Sequence, residues 1–178
     1  MKSNIILIGM PAAGKSTIGV LLAKSLLKDF VDTDLAIQSG CGCTLSDIIE
    51  REGTDKFLKI ENDIICAQNY RSCVVATGGS AVYGEEAMAH LKKDGTAVYL
   101  ELSLGEIKKR IGNIKTRGVA MKNGDSLEKL YEEREPLYNK YADIKISCEG
   151  LTAEECVEKI VKAVSKTPDD VDTESKKV

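Results

Sequence analysis

The chain has no tryptophan, and aromatic residues make up only 4% of its 178 positions. Whatever core it buries must therefore be aliphatic. No apolar run approaches the roughly 20 residues of a membrane span. The short stretch Ile5 to Ile8 behind Met-Lys-Ser-Asn lacks the length and the small-residue cleavage site of a signal peptide, so a cytoplasmic protein without membrane attachment is expected. Basic residues are not in excess either: 25 Lys and Arg stand against 28 Asp and Glu, a formal net charge of -3. Nucleic-acid binders carry a clustered basic surplus, so no nucleic-acid partner is expected, and each basic residue reads as a local ligand for an anion. There is one histidine, and no CxxC pair among the six cysteines Cys41, Cys43, Cys66, Cys73, Cys148 and Cys156. Cys41-Gly42-Cys43 is too tight for a two-ligand zinc knuckle, which leaves free thiols in a reducing compartment.

What is present describes a soluble globular chain, 43% apolar and 30% charged. Its length fits one domain, placed over residues 1–166, and a monomer is expected. The last residues, 167–178, contain almost nothing apolar and read as a disordered tail. Short β-branched runs alternate with longer helical patterns, the sign of βαβ units and a parallel sheet. Strands are predicted at Asn4-Ile8, Phe30-Asp32, Cys73-Ala76, Ala97-Leu100 and Ile144-Ser147. Helices are predicted over Ser16-Lys28, from a capping box at Thr44-Asp47, over Asp55-Tyr70, behind Ser103, over Leu127-Tyr141, and from Thr152 to about Val164. The polar segment 112–125 reads as a mobile loop. Tyr131, Tyr138 and Tyr141 read as packing residues rather than a base-stacking platform, which would need a basic surface beside it.

Gly9-Met10-Pro11-Ala12-Ala13-Gly14-Lys15-Ser16 fits GxxxxGK[ST] at every fixed position, with Thr17 following. A strand runs in and an amphipathic helix runs out, which is the context the motif needs. Backbone N–H groups from Gly9 through Gly14, including Ala12 and Ala13, can then converge on phosphate oxygens at a helix N-terminus. Lys15 is expected at the β- and γ-phosphates of ATP and Ser16 on Mg2+. An Asn-Lys-x-Asp motif is absent, which excludes an ordinary GTPase. The third strand ends in Thr77-Gly78-Gly79-Ser80 rather than in Asp or Asp-Glu, which excludes a motor ATPase. A kinase acting on a small hydroxylated metabolite remains. Asp32 and Asp34 follow the second strand and should face the phosphates, since ligands bind beyond the carboxyl ends of parallel strands. Read as an extended segment, both point the same way. Asp32 would hold magnesium through water and Asp34 would accept the proton of the attacking hydroxyl.

Taken together, Gly9-Thr17, Asp32-Thr33-Asp34, Gly53 with Phe57 and Glu61, Thr77-Gly78-Gly79, Arg110, Arg117, and Arg134-Glu135-Pro136-Leu137-Tyr138 with Ala142-Asp143 resemble the shikimate kinase family over nearly the whole chain. The resemblance implies a three-layer α/β/α fold with a central five-stranded parallel sheet, and a lid around 112–125 that closes over ATP. It implies that Asp34 meets the acceptor hydroxyls, with Gly78 and Gly79 beside the substrate. It further implies that Arg117 reaches the phosphates from the lid, that Arg110 lies near the adenine, and that Arg134 pairs with the substrate carboxylate. Glu61 is expected to orient a neighbouring arginine or a water.

Three positions depart from the family pattern, all in or near the acceptor half. Leu58 stands where a second carboxylate-binding arginine is usual, Ser80 replaces the third glycine of a Gly-Gly-Gly turn, and Gly118 replaces the proline after the lid arginine. Lys59 points about 100° away on a helix, and Arg51 and Arg71 read as surface charges. Ser80 is expected to need an unusual φ. Three functions stay open: conversion of shikimate to shikimate 3-phosphate for aromatic amino-acid synthesis; phosphorylation of a different hydroxy acid or a polyol; and a non-catalytic nucleotide-binding module. If the acceptor is shikimate, Leu58→Arg should tighten apparent shikimate affinity, by roughly 10- to 150-fold if one charged hydrogen bond is regained. Unchanged affinity in steady-state kinetics would place the carboxylate's ligands elsewhere.

Overall fold

The computed structural model describes residues 2–111, 118–121 and 125–165. The tail 167–178, Arg117, and the remainder of the loop at 112–116 and 122–124 lie outside the described residues. Five strands form one parallel sheet: β1 (Asn4–Ile8), β2 (Asp29–Asp32), β3 (Cys73–Ala76), β4 (Gly95–Glu101) and β5 (Ile144–Ser147), in the order β2-β3-β1-β4-β5. The central strand β1 is buried at all five positions. Its continuous apolar run is the composition of a parallel strand covered on both faces. The edge strands β2 and β5 are only partly buried, as edges should be.

Helices flank the sheet: α1 (Lys15–Leu26), α2 (Thr33–Cys41), α3 (Leu45–Glu52), α4 (Thr54–Ala67), α5 (Glu85–Lys93), α6 (Leu104–Arg110), α7 (Leu127–Tyr141) and α8 (Ala153–Ser165). The predicted caps are in place. Thr44 and Asp47 exchange both bonds of a capping box at α3, Ser103 accepts from the Glu106 N–H, and Thr152 and Glu155 bond reciprocally before α8. Pro136 sits inside α7. Three helical segments had no predicted bounds: α2, α5 and the 3-10 turn Ala81–Tyr83. In α2, Thr, Asp, Gln, Ser and Gly interrupt any apolar stripe, and the helix is held by its caps: Asp32 at the N-terminus and left-handed Gly42 at the C-terminus.

Two apolar clusters divide the molecule. The large one lies around the sheet; the second, built from Ile37, Leu45, Ile48, Phe57 and Ala120, joins α2, α3 and α4. No helix among the described residues is long and apolar enough to cross a membrane. All six cysteines are free thiols.

Asn4 is a polar residue at the head of the most buried strand, 2% exposed. Its Nδ2 donates to the Tyr70 carbonyl (2.9 Å) and its Oδ1 accepts from the Cys73 N–H (3.2 Å), which locks the start of β3 beside β1. Asn4→Ala orphans both backbone groups and should lower stability by about 2–4 kcal/mol. Urea unfolding with an unchanged midpoint would show that neither bond matters.

Candidate active site

The strand-to-helix turn between β1 and α1 is the predicted phosphate cradle. Gly14 takes φ 90° as the N-cap of α1, and Ala12 takes φ 65°, a conformation costing a residue with a Cβ about 1–2 kcal/mol. A Cβ on Gly9 would fall 2.8 Å from the Leu100 carbonyl oxygen, so β4 leaves room for glycine there. Lys15 is buried, with Nζ donating to the carbonyls of Gly9 (2.7 Å) and Met10 (2.9 Å). Burial pushes its pKa down to about 8, opposed chiefly by the Asp34 carboxylate; it is a cation at neutral pH. Ala12, Gly14, Lys15, Ser16 and Thr17 line a cleft of about 510 Å³. Gly9 and Ala13 are not among its lining residues: the Gly9 carbonyl holds Lys15, and the Ala13 N–H donates to the Met10 carbonyl (3.1 Å).

The Asp32-Thr33-Asp34 triplet is not extended, as the sequence reading supposed. Asp32 ends β2 and caps α2: Oδ1 accepts from the N–H groups of Asp34 (3.0 Å) and Leu35 (3.4 Å), while Oδ2 accepts from the Ser16 hydroxyl (2.7 Å). Asp34 is already in the first turn of the helix, and its carboxyl lines the cleft. The two aspartates are therefore separated by capping geometry rather than by strand alternation. Burial raises the Asp34 pKa above the ordinary carboxylate value, Lys15 opposes the shift, and Asp32 adds to it. Ser16 and Asp32 form a pair of hard oxygen donors beside the cradle, a set that fits a magnesium ion whose other ligands are phosphate and water. Thr33, wholly buried, accepts from the Gly78 N–H through its hydroxyl (3.0 Å).

The third strand feeds the acceptor half. Thr77 anchors the turn through N–H and hydroxyl bonds to the Leu7 carbonyl (3.2 and 3.0 Å). A Cβ on Gly78 would fall 2.4 Å from Glu61 Oε1 and 2.7 Å from Asp34 Oδ1; one on Gly79 would meet Pro11 at 2.9 Å and Arg134 Nη1 at 3.0 Å. Both glycines line the cleft, and a side chain at either would have to displace these site groups. Ser80 has φ −92°, an ordinary helical value, so the expected unusual φ is not found. Its hydroxyl helps to stabilise the Glu61 carboxylate, opposing the rise in that group's pKa. Arg134, on α7, is 1% exposed. Its Nη2 donates to the Ala120 carbonyl (2.6 Å), its Nε to the Tyr83 hydroxyl (3.4 Å), and its guanidinium lies 5.2 Å over the Tyr83 ring. Tyr138 stacks on Tyr99 at 5.2 Å, as a packing residue should, and its hydroxyl also donates to the Gly79 carbonyl (2.7 Å). Thr33, Tyr83 and Ala120 carried no sequence signal for these contacts; nothing local distinguishes them.

Arg110 lines the cleft with its Nε donating to Glu106 (3.0 Å). Arg117 lies outside the described residues. Leu58 is not a lining residue; it packs against the second apolar cluster. Arg51, Lys59 and Arg71 are exposed, and none of them lines the cleft.

Glu61 is 1% exposed with Oε1 unpartnered among the described residues. Burial raises its pKa to about 7; Ser80, Arg134 and Lys15 oppose this and Asp34 adds to it. A carboxyl with a raised folded pKa binds its proton more tightly in the native state, so stability is lost as pH climbs from about 4.5 through 7. Glu61→Gln should therefore add up to about 3 kcal/mol at pH 8 and much less at pH 5. Urea unfolding at both pH values reads this directly; equal effects would mean that Glu61 does not titrate on folding.

The shikimate kinase family model matches residues 11–165. Among similar proteins, the shikimate kinase of Thermodesulfovibrio yellowstonii is 39% identical over 162 residues, covering 89% of this chain and 93% of its own. That of Francisella philomiragia is 37% identical over 161 residues, covering 88% and 92%. Among solved structures, the Acinetobacter baumannii shikimate kinase in complex with shikimate superposes with a TM-score of 0.82 at 30% identity, covering 91% of this chain and 92% of that one. The Aquifex aeolicus enzyme gives 0.77 at 34% identity, with 90% and 95% covered. With a P-loop, a cleft-facing aspartate and a buried arginine on the same scaffold as these enzymes, the chain belongs to the shikimate kinase family of ATP-dependent small-molecule kinases.

Proposed function

We propose that the chain transfers the γ-phosphoryl group of ATP to shikimate, giving shikimate 3-phosphate, a step in aromatic amino-acid synthesis. The family membership supports this, as does the likeness to a shikimate-bound neighbour. Arg134 is the observation that carries the acceptor. It is a buried guanidinium on the same cleft as Lys15, with no ion pair among the described residues. A buried cation without a counter-ion is costly, and a ligand carboxylate supplies one in bidentate form. A polyol would leave the charge unmet, which favours a hydroxy acid.

In the proposed mechanism, the cradle's N–H groups and the N-terminus of α1 hold the phosphates. Lys15 exchanges its two carbonyl contacts for phosphate oxygens, and Arg117 joins it in stabilising the transferring group. Asp34 takes the proton of the acceptor hydroxyl as its oxygen attacks the γ-phosphorus and the bond to the bridging oxygen of ADP breaks. The raised Asp34 pKa makes it a stronger base than an exposed aspartate. Ser16 and Asp32 would hold a magnesium ion, which when bound neutralises charge on the β- and γ-phosphates. Arg110 is assigned to the adenine side, and Gly78 and Gly79 give the acceptor close backbone approach. We place the enzyme in the cytoplasm as a monomer, with no nucleic-acid or membrane partner.

The test is ADP release from ATP-Mg2+ with shikimate beside a panel of other hydroxy acids and polyols. Shikimate-dependent turnover is expected, and Lys15→Ala and Asp34→Asn should each lower it by at least about 10²-fold. Near-wild-type activity in either variant removes the role assigned to that residue. Silence on shikimate with turnover of another acid would reassign the acceptor.

A further inference from the structure

Residues 118–121 run along the cleft on a path that depends on Gly118. Gly118 has φ +60°, and a Cβ built on it would fall 2.6 Å from the Leu45 Cβ and 3.1 Å from the Ser46 amide nitrogen. The backbone thus runs hard against the first turn of α3. Alanine has no room there, and proline, locked near φ −65°, cannot make the turn. Val119 and Ala120 then line the cleft, Ala120 buried against Leu45 and Phe57. Two hydrogen bonds pin the segment: the Ala120 carbonyl accepts from Arg134 Nη2 at 2.6 Å, and the Met121 carbonyl accepts from the Thr54 hydroxyl at 2.8 Å.

The other polar neighbours of Arg134 are the Tyr83 and Tyr138 hydroxyls. Its Nε contact to Tyr83 is long at 3.4 Å, and the face of the Tyr83 ring limits tilt but not rotation about the guanidinium axis. The Ala120 carbonyl is the short, in-cleft contact that selects which edge of the fork is spent on protein. It leaves Nη1 beside Gly79, on the cleft. Leucine stands at position 58 and packs into the second apolar cluster, and the other guanidinium on the cleft, Arg110, is held by Glu106.

We infer that residues 118–121 are a positioning element for Arg134, holding Nη2 through the Ala120 carbonyl so that Nη1 meets the acceptor carboxylate. Glycine at 118 is the specificity-determining choice that lets the backbone reach that place. The inference rests on the reading of Arg134 as the carboxylate's ligand, and the tests below separate the two.

Thr54→Val removes a pin outside the cleft, and Gly118→Pro removes the path. Each should raise the KM for shikimate roughly 3- to 10-fold, the size of one hydrogen bond. For Thr54→Val, the KM for ATP should stay unchanged and kcat should move less than twofold. In an Arg134→Lys background, Thr54→Val should add nothing further, because the fork it helps to aim is gone. Effects that multiply in the double variant overturn the inference. A second readout needs no acceptor: amide hydrogen exchange at 118–121 in the free protein should quicken in Arg134→Met, and unchanged exchange also overturns it. If the wild-type enzyme does not turn over shikimate at all, the acceptor assignment fails, and the exchange measurement still decides whether Arg134 holds the segment.

Discussion

Lys15 Nζ sits 2.7 and 2.9 Å from two carbonyls of its own loop, an ammonium withdrawn from water and held by the backbone that it will later leave. An isolated buried ammonium would be prohibitive, so the surroundings must supply negative potential without closing the cleft. Asp34, turned inward by the first residues of α2, is the main source of it. The same burial that weakens Lys15 as a cation strengthens Asp34 as a base, and each restrains the other's shift. The rest of the site is arranged around that mutual restraint. Asp32 is tied up capping α2 and receiving Ser16, which keeps it from competing for Lys15 directly. Glycine at 78 admits the oxygens of Asp34 and Glu61 to the same small volume.

The acceptor half balances differently. Arg134 and Glu61 are both buried, and neither makes an ion pair with the other among the described residues. Glu61 is relieved by taking up a proton, whereas an arginine cannot shed one. As Glu61 takes up its proton, the balance beside the cleft shifts toward the positive charge of Arg134, which an anionic acceptor cancels. Leu45, Phe57, Val119 and Ala120 give that half of the cleft an apolar patch. Apolar neighbours of this kind lower the local dielectric and strengthen the pairing of Arg134 with an anion.

Much of this was legible in advance because the signals are local. The P-loop is a contiguous motif, its glycines answer to backbone geometry, and the strands on either side are short apolar runs bounded by turn residues. Caps at Thr44, Ser103 and Thr152 depend on residues three apart and were read correctly. The failures were also physical. Helix α2 has no apolar stripe and its ends are held by Asp32 and Gly42, so the sequence pattern reads Asp34 in an extended segment past β2, whereas it lies in the first turn of a helix. Ser80 was expected to strain its backbone, yet the 3-10 turn after it accepts an ordinary helical φ. Tyr83 reaches Arg134 across 51 positions of sequence, a pairing that no periodicity encodes.

By itself the sequence determined the phosphate chemistry: a glycine-framed turn between an apolar strand and an amphipathic helix can hold little except phosphate, and that follows from φ, ψ and the direction of N–H groups over a dozen adjacent residues. It also determined the parallel sheet, through the alternation of β-branched runs and helices. Only the tertiary structure decided the acceptor side. Which carboxyl faces the cleft, which one has its pKa raised beneath it, and which edge of Arg134 is left for a ligand depend on α2, α4, α7 and residues 118–121 meeting at one place. Burial and charge at such a meeting point are properties of the assembled fold, because each group's dielectric surroundings are made by residues far from it in the chain.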